Sequence, residues 1–76
     1  MSFSILVARN VGDGVWHVES SDVPGLNAEA EKLGALIDII RDLAPELLQA
    51  NGVVSASTPV ELLIQHHLHA GVERAA

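Results

Sequence analysis

The sequence predicts an α+β domain in which one amphipathic helix packs on a small, mostly antiparallel sheet, in the order β-β-β-α-β. Three observations support this prediction. Near the N-terminus, two strand-like apolar runs flank a turn-rich segment, as in a β-hairpin. A longer stretch then carries apolar residues at three- and four-residue steps, the spacing of one helix face. A further run rich in Leu, Ile and Val lies near the C-terminus and completes the order as a last strand.

The hairpin occupies the first third of the chain. Phe3–Ala8 is short, β-branched and aromatic, which is typical of a strand, and Asn10–Gly14 is rich in turn-forming residues. Val15–Ser20 resumes the strand pattern, with Trp16 and Val18 on one face. Trp16 is therefore either a core anchor under the helix or an exposed interface residue.

A corner follows at Asp22-Val23-Pro24-Gly25. Pro24 fixes its own φ near −65° and restricts Val23 to extended conformations, while Gly25 can adopt a positive φ. We expect one strand to end sharply here and another to begin. Leu26–Ala30 alternates apolar and polar residues and is predicted as a short third strand, with the first helical turn as the alternative.

The helix is predicted to begin at Leu33 and to end at Asn51-Gly52, a good left-handed cap. Gly34 costs about 1 kcal/mol relative to Ala inside a helix, and Pro45 costs about 3 kcal/mol or kinks the helix. Burial of each Leu or Ile gives about 1.5–3 kcal/mol, which outweighs both penalties, so we expect one helix, bent or interrupted near Ala44. Its apolar face consists of Leu33, Leu36, Ile37, Ile40, Leu43, Ala44, Leu47 and Leu48.

The last strand is predicted over Val60–His69, with a helix as the rival because Pro59 can open either element. Its histidines, His66, His67 and His69, suggest a metal hypothesis, since imidazole is a common zinc ligand. No recognised metal-site spacing accompanies them, and histidines on an edge strand also blunt edge pairing or titrate at a subunit interface. We therefore predict no metal site and no cofactor.

Size and composition favour one self-associating domain over residues 1–76. Hydrophobic residues make up 49% of the 76 residues, and the mean hydropathy is +0.33. A chain of this size buries only about 60–65% of the surface that its unfolded form exposes, so we expect a second copy to cover the remainder, as a homodimer or larger assembly. The absence of cysteine excludes disulfides and thiolate zinc sites.

The formal charge of −6 disfavours direct nucleic-acid binding and suits a basic partner. No apolar run approaches the ~20 residues that span a bilayer, and no secretory leader is recognisable, so a soluble cytoplasmic protein without membrane contact is expected. The carboxylates of Asp22, Glu29 and Glu31 fall near one corner but lack a recognisable catalytic spacing. They are interpreted as a solvated acidic rim, and the protein is not expected to be an enzyme.

The chain resembles the HicB-like antitoxin family, in its single-domain branch of mostly uncharacterised proteins. The resemblance extends from about Phe3 to Leu68. It rests on Val15-Trp16-His17-Val18, Asp22-Val23-Pro24-Gly25-Leu26, Arg41-Asp42-Leu43-Ala44-Pro45-Glu46-Leu47-Leu48 and Asn51-Gly52. The sequence departs from the family at the helix start, where Lys32 stands in place of the common Ser or Thr.

The resemblance implies a partly degraded RNase H-like fold without nuclease activity. In the family, such a domain binds and blocks a small basic RNA-cleaving toxin, and a separate C-terminal segment binds DNA. We expect a single HicB-like domain with no DNA-binding extension, because the chain stops after its last strand.

The predicted function is therefore that of an antitoxin-like interaction module. Its candidate partner-interface residues are Trp16, Asp22, Glu29, Glu31 and Leu63. The alternative is a homo-oligomeric domain that binds a small ligand or a metal between subunits.

Overall fold

A computed structural model describes residues 1–67 of the chain. Its elements are strands β1 (Ser2–Arg9), β2 (Trp16–Ser21) and β3 (Glu29–Ala30), helix α1 (Leu33–Ala50) and strand β4 (Glu61–His67). The predicted α+β class and the order β-β-β-α-β are confirmed. The third strand is shorter than predicted, and the positions Leu68 and His69 of the predicted last strand lie outside the described residues.

The strands form one four-stranded mixed sheet in the order β3-β2-β1-β4. β1 and β2 pair antiparallel, as do β2 and β3, which makes the sheet mostly antiparallel as predicted. β4 instead pairs parallel to β1. This direction follows from the connection, because the chain crosses over through α1 before it re-enters the sheet.

The last element is a strand and not the rival helix. Leu62 and Ile64 are half-buried and pack against the core, whereas Glu61, Leu63 and Gln65 are exposed. This alternation has the period of two that a strand requires.

The core lies between one face of the sheet and the apolar side of α1. Ile5 and Val7 of β1 and Leu36, Ile40 and Leu48 of α1 are at most 1% exposed. Full burial of each such side chain contributes about 1.5–3 kcal/mol, so this contact supplies most of the stabilisation. The buried cluster consists of Phe3, Ile5, Val7, Val23, Leu26, Leu36, Ile40, Ala44 and Leu48.

Helix α1 runs as one element through Pro45. Lys32 is its N-cap, and no side-chain hydrogen bond caps this end, in line with the departure noted at this position. At the other end Gly52 has a φ of 71°, and its N–H donates to the Gln49 carbonyl at 3.0 Å. The Asn51 N–H donates to the Leu47 carbonyl, so the predicted left-handed cap is present at Gly52.

One irregularity interrupts the β1–β2 ladder. Val7 lies opposite Val18, but Leu6 lies opposite Ser20, so Glu19 is an extra residue on β2. A bulge of this kind changes which residues share a face. The strict alternation predicted for Val15–Ser20 therefore ends at Glu19.

Candidate functional site: the outer sheet face

The sheet has a second face, opposite α1, that no helix or strand among residues 1–67 covers. We call it the outer sheet face. The strand registers place the following residues on it: Ser2, Ser4, Leu6 and Ala8 of β1, His17 and Ser20 of β2, Glu29 of β3, and Glu61, Leu63 and Gln65 of β4.

Two of the predicted interface residues flank the same residue of β1 on this face. Leu63 is the register partner of Ser4 on one side. On the other side, the Ser4 N–H donates to Asp22 Oδ2 at 3.0 Å, and the Asp22 N–H donates to the Ser4 carbonyl at 2.9 Å. Neighbouring strands are about 4.8 Å apart, so Leu63 and Asp22 are separated by roughly 10 Å across the sheet.

The outer sheet face has a small apolar centre. Leu63 is 47% exposed, which makes it one of the most accessible large apolar side chains of the described residues. Leu6, which follows Ser4 by two positions on β1, is half-buried, and Ala8 is 3% exposed. An exposed leucine beside a half-buried one forms a patch that a partner side chain can cover.

Three exposed carboxylates lie on or beside this face. Glu61 precedes Leu63 by two positions on β4 and accepts a hydrogen bond from Ser2 Oγ at 2.8 Å. Glu29, a second predicted interface residue on this face, lies opposite His17 at the β3 side of the sheet. Together with Asp22 these acids are exposed, so the face combines apolar contact area with a negative rim.

The remaining two predicted interface residues lie elsewhere. Glu31 is exposed between β3 and α1. Trp16 is half-buried on the helix side of the sheet, where it packs against the core cluster. Its ring meets the His66 ring edge-on, with a centroid distance of 6.0 Å and an interplanar angle of 73°. Of the two roles left open by the sequence, this placement gives Trp16 a part in the core.

The predicted corner is a tight turn that positions Asp22. The Leu26 N–H donates to the Val23 carbonyl at 3.3 Å across Pro24 and Gly25, and Gly25 has a φ of 76°. This is the arrangement of a type II turn, with Pro at its second position and Gly at its third. The Ser21 hydroxyl accepts a hydrogen bond from the Val23 N–H at 2.8 Å. The sequence reasoning missed this contact, although Ser before a turn is a recognised signal.

No metal site is visible in the part of the chain that the structure describes. Among residues 1–67, no three His, Cys, Asp or Glu residues are grouped so that they could hold a metal ion. His66 lies on the helix side of the sheet, beside Trp16. The predictions for the His67 side chain and for His69 lie outside what is described. Within the same range, no helix is both long and apolar enough to cross a membrane.

Comparisons with known proteins place the chain in a family. No curated protein matches it. The crystal structure of hypothetical protein TTHA1013, from the extremely thermophilic bacterium Thermus thermophilus, is similar, with 35% sequence identity and a TM-score of 0.77. That similarity covers 93% of this chain and 99% of the thermophile chain. The family described as a domain of unknown function, DUF1902, matches residues 3–73, and the chain belongs to this family.

Proposed function

We propose that the protein is a non-enzymatic, antitoxin-like interaction module that binds a small basic RNA-cleaving protein through the outer sheet face and masks it. One observation carries the proposal. The exposed Leu63 and the half-buried Leu6 lie on a sheet face that no element among residues 1–67 covers, and exposed carboxylates lie on or beside the same face. The resemblance of the corner and helix motifs to the HicB-like family suggests the class of partner, a small basic RNA-cleaving protein.

The composition of this face suits a protein partner. Protein interfaces combine an apolar centre, from which water is excluded, with a polar rim. Here Leu63 and Leu6 supply the centre, Glu29 and Glu61 supply acidic groups on the face, and Asp22 lies at its edge beside Ser4. Rim charges of one sign steer a partner of the opposite sign and increase its association rate.

The sign of the charge suggests what is masked. A protein that cleaves RNA needs basic side chains to hold phosphates. The formal charge of −6 makes this chain attractive to such a surface, and a bound acidic domain would occlude the phosphate-binding residues. Inhibition would then require no catalytic residue on this chain.

Co-expression with a small basic protein encoded by a neighbouring gene tests the proposal. We expect the two proteins to co-purify as a stable complex, and we expect RNA cleavage by the basic protein to stop when this chain is added in equimolar amount. Isothermal titration calorimetry supplies the affinity. If no complex forms, or if a complex forms and RNA cleavage continues, the proposed function is wrong.

Two charge variants test which surface binds. Each removes three negative charges from exposed positions, so the change in net charge is the same. We expect the outer-face variant to bind the basic protein at least about 5-fold more weakly than the unmodified chain does. The affinity of the helix variant should stay within about 2-fold of that of the unmodified chain. Equal loss in both variants would show that net charge alone drives binding. The outer-face variant is Asp22→Asn, Glu29→Gln and Glu61→Gln, and the helix variant is Asp38→Asn, Asp42→Asn and Glu46→Gln.

A further inference from the structure

β4 is an edge strand, and its outer edge has no partner strand among residues 1–67. On its inner edge, the Glu61 N–H donates to the Met1 carbonyl at 2.8 Å. Backbone groups alternate between the two edges along a strand. The groups of Glu61, Leu63 and Gln65 therefore face β1, and the N–H and C=O groups of Leu62, Ile64 and His66 point outward from the sheet.

Apart from its two histidines, which as polar residues can blunt edge pairing, this outer edge lacks the features that usually prevent it. Glu61–His67 contains no Lys, Pro or Gly, and its register with β1 is regular over all seven residues. Natural edge strands are commonly protected by Lys, Pro, a bulge or a very short length. The opposite edge of the sheet has such protection, because β3 is only two residues long.

We propose that the outer edge of β4 pairs antiparallel with the same edge of a second copy, about a twofold axis at Ile64. This inference assigns a surface to the self-association expected from the size and composition of the chain. In this register Ile64 lies opposite Ile64, and Leu62 of one copy lies opposite His66 of the other. Each outward N–H and C=O group of these residues then has a backbone partner, which is why a second copy fits this edge.

The side chains agree with the same register. Leu62 and Ile64 are half-buried on the helix side, where they already pack against the core. Pairing about Ile64 brings the two Ile64 side chains together and joins the two cores across the axis. On the outer sheet face, the exposed Leu63 lies opposite Gln65 of the other copy. The axis is perpendicular to the sheet, so both helices lie on one side and both outer sheet faces stay accessible to a basic partner.

Amide hydrogen exchange, followed by NMR over a dilution series, tests the pairing in the unmodified chain. At millimolar concentration we expect the amides of Leu62, Ile64 and His66 to be protected, and at low micromolar concentration we expect them to lose that protection. The amides of Leu63 and Gln65 face β1 and serve as internal controls that stay protected throughout. A monomer at millimolar concentration would overturn the inference, and so would a dimer in which Leu62, Ile64 and His66 exchange freely.

A pair of variants at Ile64 isolates the backbone contribution. Pro has no N–H, and the Ile64 N–H is not used by β1, so Ile64→Pro removes an edge donor and leaves the β1–β4 ladder intact. We expect sedimentation velocity to show a dimer dissociation constant at least about 10-fold higher for Ile64→Pro, and within about 3-fold of the original for Ile64→Val. Equal affinities of the two variants would overturn the edge pairing.

Two outcomes remain to be separated. If the circular dichroism spectrum shows that Ile64→Pro is unfolded, the exchange experiment on the unmodified chain tests the edge pairing in its place. Failure of this inference is also distinct from failure of the proposed function. A chain that binds and inhibits the basic protein as a monomer rejects only the edge pairing, whereas a β4-paired dimer that binds no basic protein rejects only the proposed partner.

Discussion

Gly25 shows how a single residue positions part of the candidate site. Its φ of 76° lies in the left-handed region, where a side chain is strained. The turn that it allows buries Val23 and Leu26 and holds Asp22 beside Ser4. A Cβ at this position would meet Leu47 Cδ2 at 3.9 Å, an ordinary contact, so the backbone alone demands glycine.

Replacement of two glycines by alanine tests that reasoning with opposite expected signs. Gly25→Ala should lower the free energy of unfolding by about 1–2 kcal/mol, because the turn forces a positive φ on alanine. Gly34 is exposed within α1, and a Cβ there meets nothing within 4 Å. Gly34→Ala should therefore raise the free energy of unfolding by up to about 1 kcal/mol. Urea unfolding monitored by circular dichroism measures both, and a stable Gly25→Ala variant would contradict the account of the turn.

Residue-scale prediction succeeded where the chemistry is local. The covalent structure of Pro24 fixes its own φ, and that of Gly25 allows a positive φ, so the corner could be predicted from the sequence. The bulge at Glu19 was not, since it depends on how two strands align and has no composition of its own. The placement of Trp16 also needed the register, because its alternation with Val18 fits either face of the sheet.

At the scale of the element, the N-cap position of α1 is less stable than it could be. Lys32 has an extended backbone and forms no capping hydrogen bond, and the first turn contains no acidic residue. The free N–H groups of this turn and the helix dipole both favour a short acidic or hydroxyl side chain here. The N-terminus of α1 is therefore a site where stability can be gained.

Lys32→Asp should raise the free energy of unfolding by about 1 kcal/mol through a new side-chain cap and a favourable charge. Lys32→Ala, which removes the positive charge and adds no acceptor, is the matched control and should change stability by less than half as much. Thermal and urea unfolding give the comparison. Equal effects of Asp and Ala would mean that the lysine charge, and not the missing cap, limits the helix.

Pro45 is a second residue of α1 that lowers the free energy of unfolding. Proline removes one backbone hydrogen bond and is about 3 kcal/mol less favourable than alanine in a helix interior. Because Pro45 is half-buried and also restricts the unfolded chain, Pro45→Ala should recover only about 1–2 kcal/mol of unfolding free energy. A loss of stability on urea unfolding would show that the proline ring makes a core contact worth more than the hydrogen bond.

The bounds of the helix were predictable because two independent signals agree. The apolar period begins at Leu33, and Gly52 provides the left-handed end, so the observed Leu33–Ala50 follows directly. The third strand was overestimated because Leu26 is used in the turn, where its N–H bonds the Val23 carbonyl. Alternation in a short segment does not distinguish a strand from a turn that buries one side chain.

At the scale of the whole molecule, the candidate site arises from strand register. Leu63 is far from Asp22 in sequence, and the two flank Ser4 only because β4 enters the sheet beside β1. The sequence indicated which residues alternate along each strand, but not which strands are neighbours. The acidic character was predictable from composition, whereas the apolar centre at Leu63 and Leu6 required the fold.

Two exposed apolar side chains can be used to distinguish specific binding at the outer sheet face from nonspecific hydrophobic association. Leu63 on the outer sheet face is 47% exposed, and Ile39 on α1 is 38% exposed. Burial of a leucine side chain contributes about 1.5 kcal/mol or more, so Leu63→Ala should weaken binding to the basic protein by about 10-fold. Ile39→Ala, the matched control, should leave the affinity within about 2-fold. The reverse ranking by calorimetry would move the interface to α1.

We propose the outer sheet face as the surface that recognises a basic protein. The most direct measurement is NMR chemical-shift mapping of the labelled chain as the unlabelled basic partner is added. We expect the largest shifts at Ser4, Leu6, Leu63 and Gln65, with Asp38, Asp42 and Glu46 of α1 nearly unchanged. Shifts concentrated on α1, with the outer sheet face unaffected, would contradict this proposal.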